Sequence, residues 1–329
     1  MSRPPNRDHA RLPPGPPDPL PARLADWSRR GWLWGAGALG AGALGAAAAT
    51  GCDGGADDHT GAGTPQAVDW PAGRLRPGPR RVAWVFGSGG PRGFVHVGVL
   101  KALAELGLAP DLVVGASVGA LVATFYAGGL GAARIEQLAL DLQPWQFLRW
   151  NLGGAERWRG DGLADLVNQA LDHRPLQALP LPVACAVQRL RDGAVLGFNQ
   201  GDAGLAVQAA TAIEGQMAPL TLRGERYADA DLRMPLPVRL ARALGATRVL
   251  AVDASAREDS IPPDAGAYRA ADLHKRALTR PDAASADVLL HPAIGYWAGW
   301  SRDYRARVIA AGYQSTLAAA ERLRALHRG

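Results

Sequence analysis

The sequence predicts an α/β protein: a mainly parallel central sheet covered by helices on both faces. Three observations carry that expectation. From residue 81 onward, short apolar runs bounded by glycine alternate with stretches whose apolar residues recur every three or four positions. The first two runs each end in a glycine-rich turn that opens a helical stretch. The length of 329 residues, 48% apolar and 20% charged, suits one large α/β domain and excludes a disordered chain.

The elements follow in order. Val82-Ala83-Trp84-Val85-Phe86 reads as a buried strand, and Phe94 to Leu106 as a helix closed by Gly107. Leu112-Val113-Val114 is a second strand and Val118 to Tyr126 a second helix, closed by Gly128-Gly129. Leu181–Val187 and Ala194–Phe198 flank Asp192-Gly193, a hairpin signal. Leu220-Thr221-Leu222 is a strand, and Pro237–Leu244 a helix with Pro at its start and Gly245 after its end. Arg248–Val252 is another buried strand, Val288–Leu290 a shorter one, and Ser301–His327 a single long terminal helix. No internal repeat is visible.

Ahead of this domain the composition changes. Residues 1–26 are rich in Pro and Arg and carry no apolar period. Trp27-Ser28-Arg29-Arg30-Gly31-Trp32-Leu33-Trp34 then leads into a Gly/Ala run that ends at Thr50-Gly51-Cys52-Asp53. A charged region, a mildly apolar stretch and small residues are the layout of an export signal, and the paired arginines resemble the twin-arginine type. A retained membrane helix is the alternative, but six glycines between Trp32 and Gly51 weaken it. Ala49-Thr50-Gly51-Cys52 resembles a lipobox, which would make Cys52 a lipidation site; cleavage at a nearby Ala-x-Ala site is the competing reading. The expected organisation is therefore an export signal over 1–51, a flexible tether over 52–80 and a catalytic domain over 81–329. The localisation that follows is the periplasmic side of an inner membrane, lipid-anchored.

Charge excludes some partners. Six arginines against three aspartates in residues 1–51 account for half of the net +6. The remaining +3 is spread over 278 positions, so a nucleic-acid partner is not expected. Lysine occurs only at Lys101 and Lys275; the other basic residues are arginine. With only Cys52 and Cys185, neither a disulfide framework nor a cysteine zinc site is expected, and no cofactor or metal is implied.

The chemistry concentrates in the two glycine-rich turns. Gly115-Ala116-Ser117-Val118-Gly119 is a G-x-S-x-G pattern between a strand and a helix, a tight turn that lifts the Ser117 hydroxyl above the sheet. The alternative is a serine that merely caps the helix. Gly87-Ser88-Gly89-Gly90-Pro91-Arg92-Gly93 offers backbone N–H groups to an anion. It fails as a dinucleotide fingerprint because Arg92 stands at the last glycine position, and as a P-loop because no Gly-Lys-Ser/Thr follows. Two such turns at one sheet edge suggest acyl transfer, with the nucleophile on one and oxyanion donors on the other. No histidine among His96, His173, His274, His291 and His327 sits in a motif. The informative late segment is Tyr227-Ala228-Asp229-Ala230-Asp231, running on to Pro235-Leu236-Pro237.

Over Val82 to His327 the chain resembles the patatin-like phospholipases, in particular their bacterial single-domain branch. The turn ending Pro91-Arg92-Gly93, the elbow around Ser117, Met217-Ala218-Pro219 and the Asp229 segment occur in the family's order. The resemblance implies a patatin-like three-layer fold and a Ser–Asp dyad without histidine, acting on lipid acyl esters. Ser117 would be the nucleophile, Asp229 the base, and Gly89 and Gly90 with Arg92 the oxyanion site. Gly115 and Gly119 would shape the elbow. Three departures stand out: Asp229-Ala230-Asp231 where the family has Asp-Gly-Gly or Asp-Gly-Ala, Ala212-Ile213-Glu214-Gly215 for Ser-Ile-Pro-Gly, and Val187-Gln188-Arg189 for an Ala-Thr-Asp-like string. Asp231 is thereby a rival base. The expected partners are a lipid or ester substrate and a membrane surface reached through the anchor; oligomeric state is open. A Ser-His-Asp hydrolase and a catalytically weakened lipid-binding protein are the competing readings. Trp145, Phe147, Trp150 and Trp158 form one aromatic group and Tyr296, Trp297, Trp300 and Tyr304 another, either core or a rim at the site mouth.

Overall fold

The computed structural model describes residues 58–68, 81–152 and 154–328. The export signal, Cys52 and most of the expected tether lie outside the described residues. The chain opens with β1 (Val82–Phe86), a 3-10 turn (Gly90–Phe94), α1 (Val95–Glu105), β2 (Leu112–Ala116), α2 (Val118–Ala127) and α3 (Ala132–Asp141). A short α4 (Pro144–Phe147) and the two-residue strands β3 (Arg149–Trp150) and β4 (Trp158–Arg159) lead to α5 (Asp161–Ala170). Next come β5 (Val183–Arg189), β6 (Val195–Phe198), α6 (Ala203–Thr211), β7 (Leu220–Leu222) and β8 (Glu225–Asp229). The last elements are α7 (Val238–Ala243), β9 (Arg248–Val252), α8 (Ala267–Ser285), β10 (Val288–Leu290), α9 (Arg302–Ala318) and α10 (Ala320–His327).

The sheet runs β10-β9-β1-β2-β5-β8-β7, with β6 paired to β5. Its first five strands are parallel, as expected for apolar runs joined by helical crossovers. Beyond β5 the sheet turns antiparallel, because β6 and β8 return by hairpin-type connections. Both faces are covered, and β1 shows how. Val82, Trp84 and Phe86 enter one core with Leu100, Leu103, Val308 and Ile309, while Ala83 and Val85 enter another with Leu112, Leu236, Val238 and Ala241. That period-2 division is what an apolar strand between two helical layers requires.

Two expectations need correction. The terminal helix is two helices meeting at Ala319, whose φ of −97° and ψ of 6° leave helical geometry. Residues 58–68, expected as tether, lie against the domain. The His59 N–H donates to the Thr221 carbonyl (3.1 Å) and the Arg223 N–H to the His59 carbonyl (3.2 Å), which extends the sheet past β7. Val68 exchanges backbone bonds with the Asn199 side chain at 3.1 and 2.6 Å, and Thr64 is buried. This strap covers an otherwise open sheet edge.

Candidate active site

Both glycine-rich turns lie at the carboxyl ends of neighbouring parallel strands, β1 and β2, where open α/β sheets bind ligands. Ser117 follows β2 directly and precedes α2, with φ 53° and ψ −127°. A non-glycine residue in that region is strained and persists only where its surroundings enforce it. Two glycines enforce it here. A Cβ on Gly115 would lie 2.2 Å from the Gly119 carbonyl oxygen, and one on Gly119 would lie 2.1 Å from that of Phe86. Larger residues at either position would push the helix off the strand.

The first turn is fixed from three sides. The Gly87 N–H donates to the Val252 carbonyl (2.9 Å) and the Ser88 N–H to that of Pro235 (2.8 Å). His96, fully buried in α1, bonds through Nε2 to the Gly87 carbonyl (2.8 Å). Burial lowers this imidazole to about 4, so it is neutral and donates from Nε2. Gly93 has no room for a Cβ, which would lie 2.2 Å from Val118 Cγ1 on the elbow. The turn carrying the Gly89 and Gly90 N–H groups therefore packs directly on the residue after Ser117.

Arg92, which the resemblance groups with Gly89 and Gly90, is held by contacts on two sides. Its backbone N–H donates to the Gly89 carbonyl (3.1 Å), and its buried guanidinium donates from Nη2 to the Tyr296 carbonyl (2.7 Å). Nη1 lies 3.9 Å from Asp272 Oδ1, and the group sits 5.6 Å from the Tyr296 ring centroid. Arg92 ties the turn to α8 and to the loop before α9.

Asp229, the last residue of β8, is buried opposite Val187 of β5. Its Oδ1 accepts the Asp231 N–H (2.9 Å), whereas Oδ2 is buried without a hydrogen-bond partner of ordinary geometry. Burial pushes the carboxyl up to about 7 and the Asp231 charge adds to this; the Ser117 hydroxyl, the Asp231 N–H and Lys275 pull the other way. Ser117 is thus near enough to stabilise the carboxylate without closing a short bond to Oδ2, a looseness common in sites without ligand. Asp231, the rival base, is occupied: Lys275 Nζ donates to its Oδ1 (2.6 Å), and so does Ser88 Oγ. Burial raises the Asp231 carboxyl, but the charge and hydrogen bond of Lys275, with Ser88 and Arg92, more than offset this and hold it below the usual range.

The extra methyl of Ala230 is absorbed, fully buried against Ala116 and Ala186. No described histidine is hydrogen-bonded to Ser117. His291 bonds to the Ser255 carbonyl (3.0 Å) and His327 to Trp84 and the Leu323 carbonyl. The aromatic groups divide. Trp300 packs on Phe94 and Phe147, and Tyr296 and Tyr304 are buried. Trp145, Trp150 and Trp297 stand 70%, 60% and 51% exposed. Trp150 stacks on Trp158 at 4.3 Å, with Arg157 over both rings. That hairpin is stitched to residues 216–218 by the bonds Trp158 N–H to Gln216 carbonyl (3.1 Å) and Ala218 N–H to Trp158 carbonyl (2.8 Å). Exposed Ile213 and Leu232 flank the base, since the Ala212 carbonyl accepts the Asp229 N–H (2.9 Å) and Leu232 follows Asp231. Sequence reasoning missed Lys275, Ser88 and His96, none of which carries a local signal.

Fold and site together define an α/β protein with a strained serine at a strand–helix elbow beside a buried aspartate. Residues 84–242, which hold both turns, Ser117 and Asp229, match the family described as patatin-like phospholipase. Over those residues the chain is similar to the patatin-like phospholipases. It is 30% identical over 191 residues to an uncharacterized NTE family protein of Mycobacterium tuberculosis, covering 56% of this chain and 52% of that one. It is 28% identical over 189 residues to patatin-like phospholipase domain-containing protein 6 of Homo sapiens, covering 54% of this chain and 14% of that one. The chain therefore spans about half the length of the mycobacterial relative it matches. Among solved structures, VipD from Legionella pneumophila is similar at 14% identity and a TM-score of 0.49, over 82% of this chain and 71% of that one.

Proposed function

We propose that this protein is a serine lipid-acyl hydrolase that works through an acyl-enzyme with a Ser117–Asp229 dyad. The observation that carries the reading is a strained, positive-φ serine whose hydroxyl acts on a buried carboxyl with one unpartnered oxygen. Ser117 Oγ attacks the ester carbonyl carbon while its proton passes to Asp229. An aspartate at its ordinary value would be a poor acceptor near neutrality; one raised to about 7 is a competent one. The Gly89 and Gly90 N–H groups face the developing oxyanion. Collapse expels the alcohol, which takes the proton from Asp229. A water then attacks the acyl-enzyme, gives its proton to Asp229, and the released Ser117 recovers it as the fatty acid departs. The exposed Trp145, Trp150, Trp297, Ile213 and Leu232 support a lipid as the acyl donor.

The protein is further proposed to be exported and held at a membrane through Cys52, on the strength of the Ser28-Arg29-Arg30 string and the Ala49-to-Cys52 pattern. No helix among the described residues is long and apolar enough to cross a membrane. The catalytic reading is tested with a fluorophosphonate probe: wild type is labelled at Ser117 and Ser117→Ala is not. A wild-type protein that binds phospholipid vesicles yet resists labelling supports the weakened lipid-binding reading instead.

A further inference from the structure

The site holds two carboxylates two residues apart, and only one is needed to take a proton from Ser117. Asp229 and Asp231 are joined through the Asp231 N–H, which donates to Asp229 Oδ1 at 2.9 Å. Two negative charges so placed oppose each other, and one would be driven to protonate. Helix α8 supplies the counter-charge. Asp272 and Lys275 lie one turn apart on it, with Lys275 on Asp231 (2.6 Å) and Asp272 near Arg92 (3.9 Å). Both are well covered, with side chains 17% exposed at Lys275 and 13% at Asp272. Asp231 Oδ1 also accepts the Ser88 hydroxyl, which belongs to the turn bearing Gly89 and Gly90. One carboxylate thus joins α8, the first turn and the base.

We propose that Lys275 is a positioning residue of this site: through its ion pair with Asp231 it neutralises the second carboxylate beside Asp229 and, with Ser88, fixes the first turn. The charged and polar groups that bear on Asp229 come from every side. Asp231 lies on the turn after β8, Lys275 on α8, Ser117 on the elbow, and Arg92 acts on Asp231 from the first turn. Asp231 is the repulsive member, and among the described residues Lys275 is the only cation hydrogen-bonded to it. Because the ammonium reaches Asp231 rather than Asp229, it lowers repulsion without itself taking the hydrogen bond of the base. The lysine therefore keeps Asp229 able to lose its proton near neutrality while Oδ2 remains open to Ser117.

The test is a carboxyl titration of the full chain carrying ¹³C-labelled aspartate, followed by NMR, with the Asp229 resonance identified by its loss in Asp229→Asn. Lys275→Gln should move the Asp229 midpoint up by about one pH unit or more, and Lys275→Arg should leave it near wild type. Asp231→Asn combined with Lys275→Gln should return it to near the wild-type value, because repulsion and compensation leave together. An Asp229 midpoint that does not move in Lys275→Gln overturns the proposal. So does one that stays raised in the double variant. If Lys275→Gln fails to fold, Asp231→Asn alone decides: its midpoint must fall, and an unmoved midpoint overturns the proposal equally. The inference rests on the dyad reading for its catalytic meaning, but the titration does not need turnover. Fluorophosphonate labelling of wild type reports separately on that reading. Where labelling occurs, its rate in Lys275→Gln should fall by about tenfold at pH 6.5 and recover by pH 9. An equal loss at every pH would mark Lys275 as merely structural and overturn the proposal.

Discussion

Gly93 packs directly on the Val118 side chain where the two glycine-rich turns meet; a Cβ there would lie 2.2 Å from Val118 Cγ1 and 2.7 Å from Cγ2. This contact sets how far the Gly89 and Gly90 N–H groups stand from Ser117. Gly93→Ala should therefore separate the turns and lower turnover of a short-chain ester by about 100-fold, the effect of a misplacement near one ångström. Val118→Ala in the same chain removes both Cγ atoms and should recover a substantial part of the loss. Equal activity in Gly93→Ala and wild type would show that the spacing of the turns is not controlled here.

Ser117→Ala should reduce turnover by about 10⁴-fold, since a nucleophile acting as part of a unit has no partial substitute. Its strain gives a second readout. Glycine adopts a φ of 53° freely, so Ser117→Gly should be inactive yet melt at a higher temperature than wild type. Calorimetry on both variants separates lost chemistry from lost structure.

Asp229→Asn should be nearly as damaging as Ser117→Ala, and its stability should depend on pH in a fixed direction. Asp229 has its pKa raised in the folded chain from 3.8 to about 7. Below the lower value both states are protonated and the group contributes nothing. As pH rises through this window the unfolded chain loses the proton first, so the aspartate destabilises the fold, fully so above about 7. Asn removes that penalty. Asp229→Asn should match wild type in Tm at pH 4 and exceed it at pH 8; the opposite order would mean that the carboxylate is held by partners rather than by burial. Wild-type activity should rise with pH through the same region, as the base ionises.

Much of this was readable from local pattern. β1 and β10 are uninterrupted apolar runs and β9 is one after Arg248, which is how a strand covered on both faces reads, and they fall within a residue of expectation. Ser117 was legible because close approach of strand and helix demands Gly115 and Gly119, a steric rule that survives in sequence. Helix α8 was not. Its 19 residues are rich in charge and include Pro281, and beside a few apolar contacts through Tyr268, Leu273 and Ala283 it is tied to the domain by the ion pairs of Lys275, Arg276 and Asp282. Lys275 is invisible for the same reason, since its partner Asp231 lies 44 positions away. The partners of Arg92 were equally illegible, because Tyr296 and Asp272 are remote from it in sequence.

The strap at residues 58–68 changes what an anchor at Cys52 would do. Asp58 is fixed to the domain, its carboxylate accepting the Gly224 N–H at 3.0 Å. It lies only six positions after Cys52, a reach of at most about 20 Å when fully extended. A lipid on Cys52 would therefore hold the β7–β8 edge close to the bilayer, not at the end of a long leash. Two or more acyl chains suffice for stable attachment at about 0.8 kcal/mol per buried CH₂. Cys52→Ser should move the protein from the membrane fraction to soluble or unprocessed material, and Arg29→Lys with Arg30→Lys should leave it in the cytoplasm. Inserting about twenty Gly/Ser residues between Cys52 and Asp58 should keep the protein on the membrane but lower its turnover of phospholipid in that same bilayer, while hydrolysis of a soluble ester stays unchanged. A Cys52→Ser protein that is still cleaved and equally membrane-bound would remove the anchor and, with it, the constraint on how the site meets its lipid.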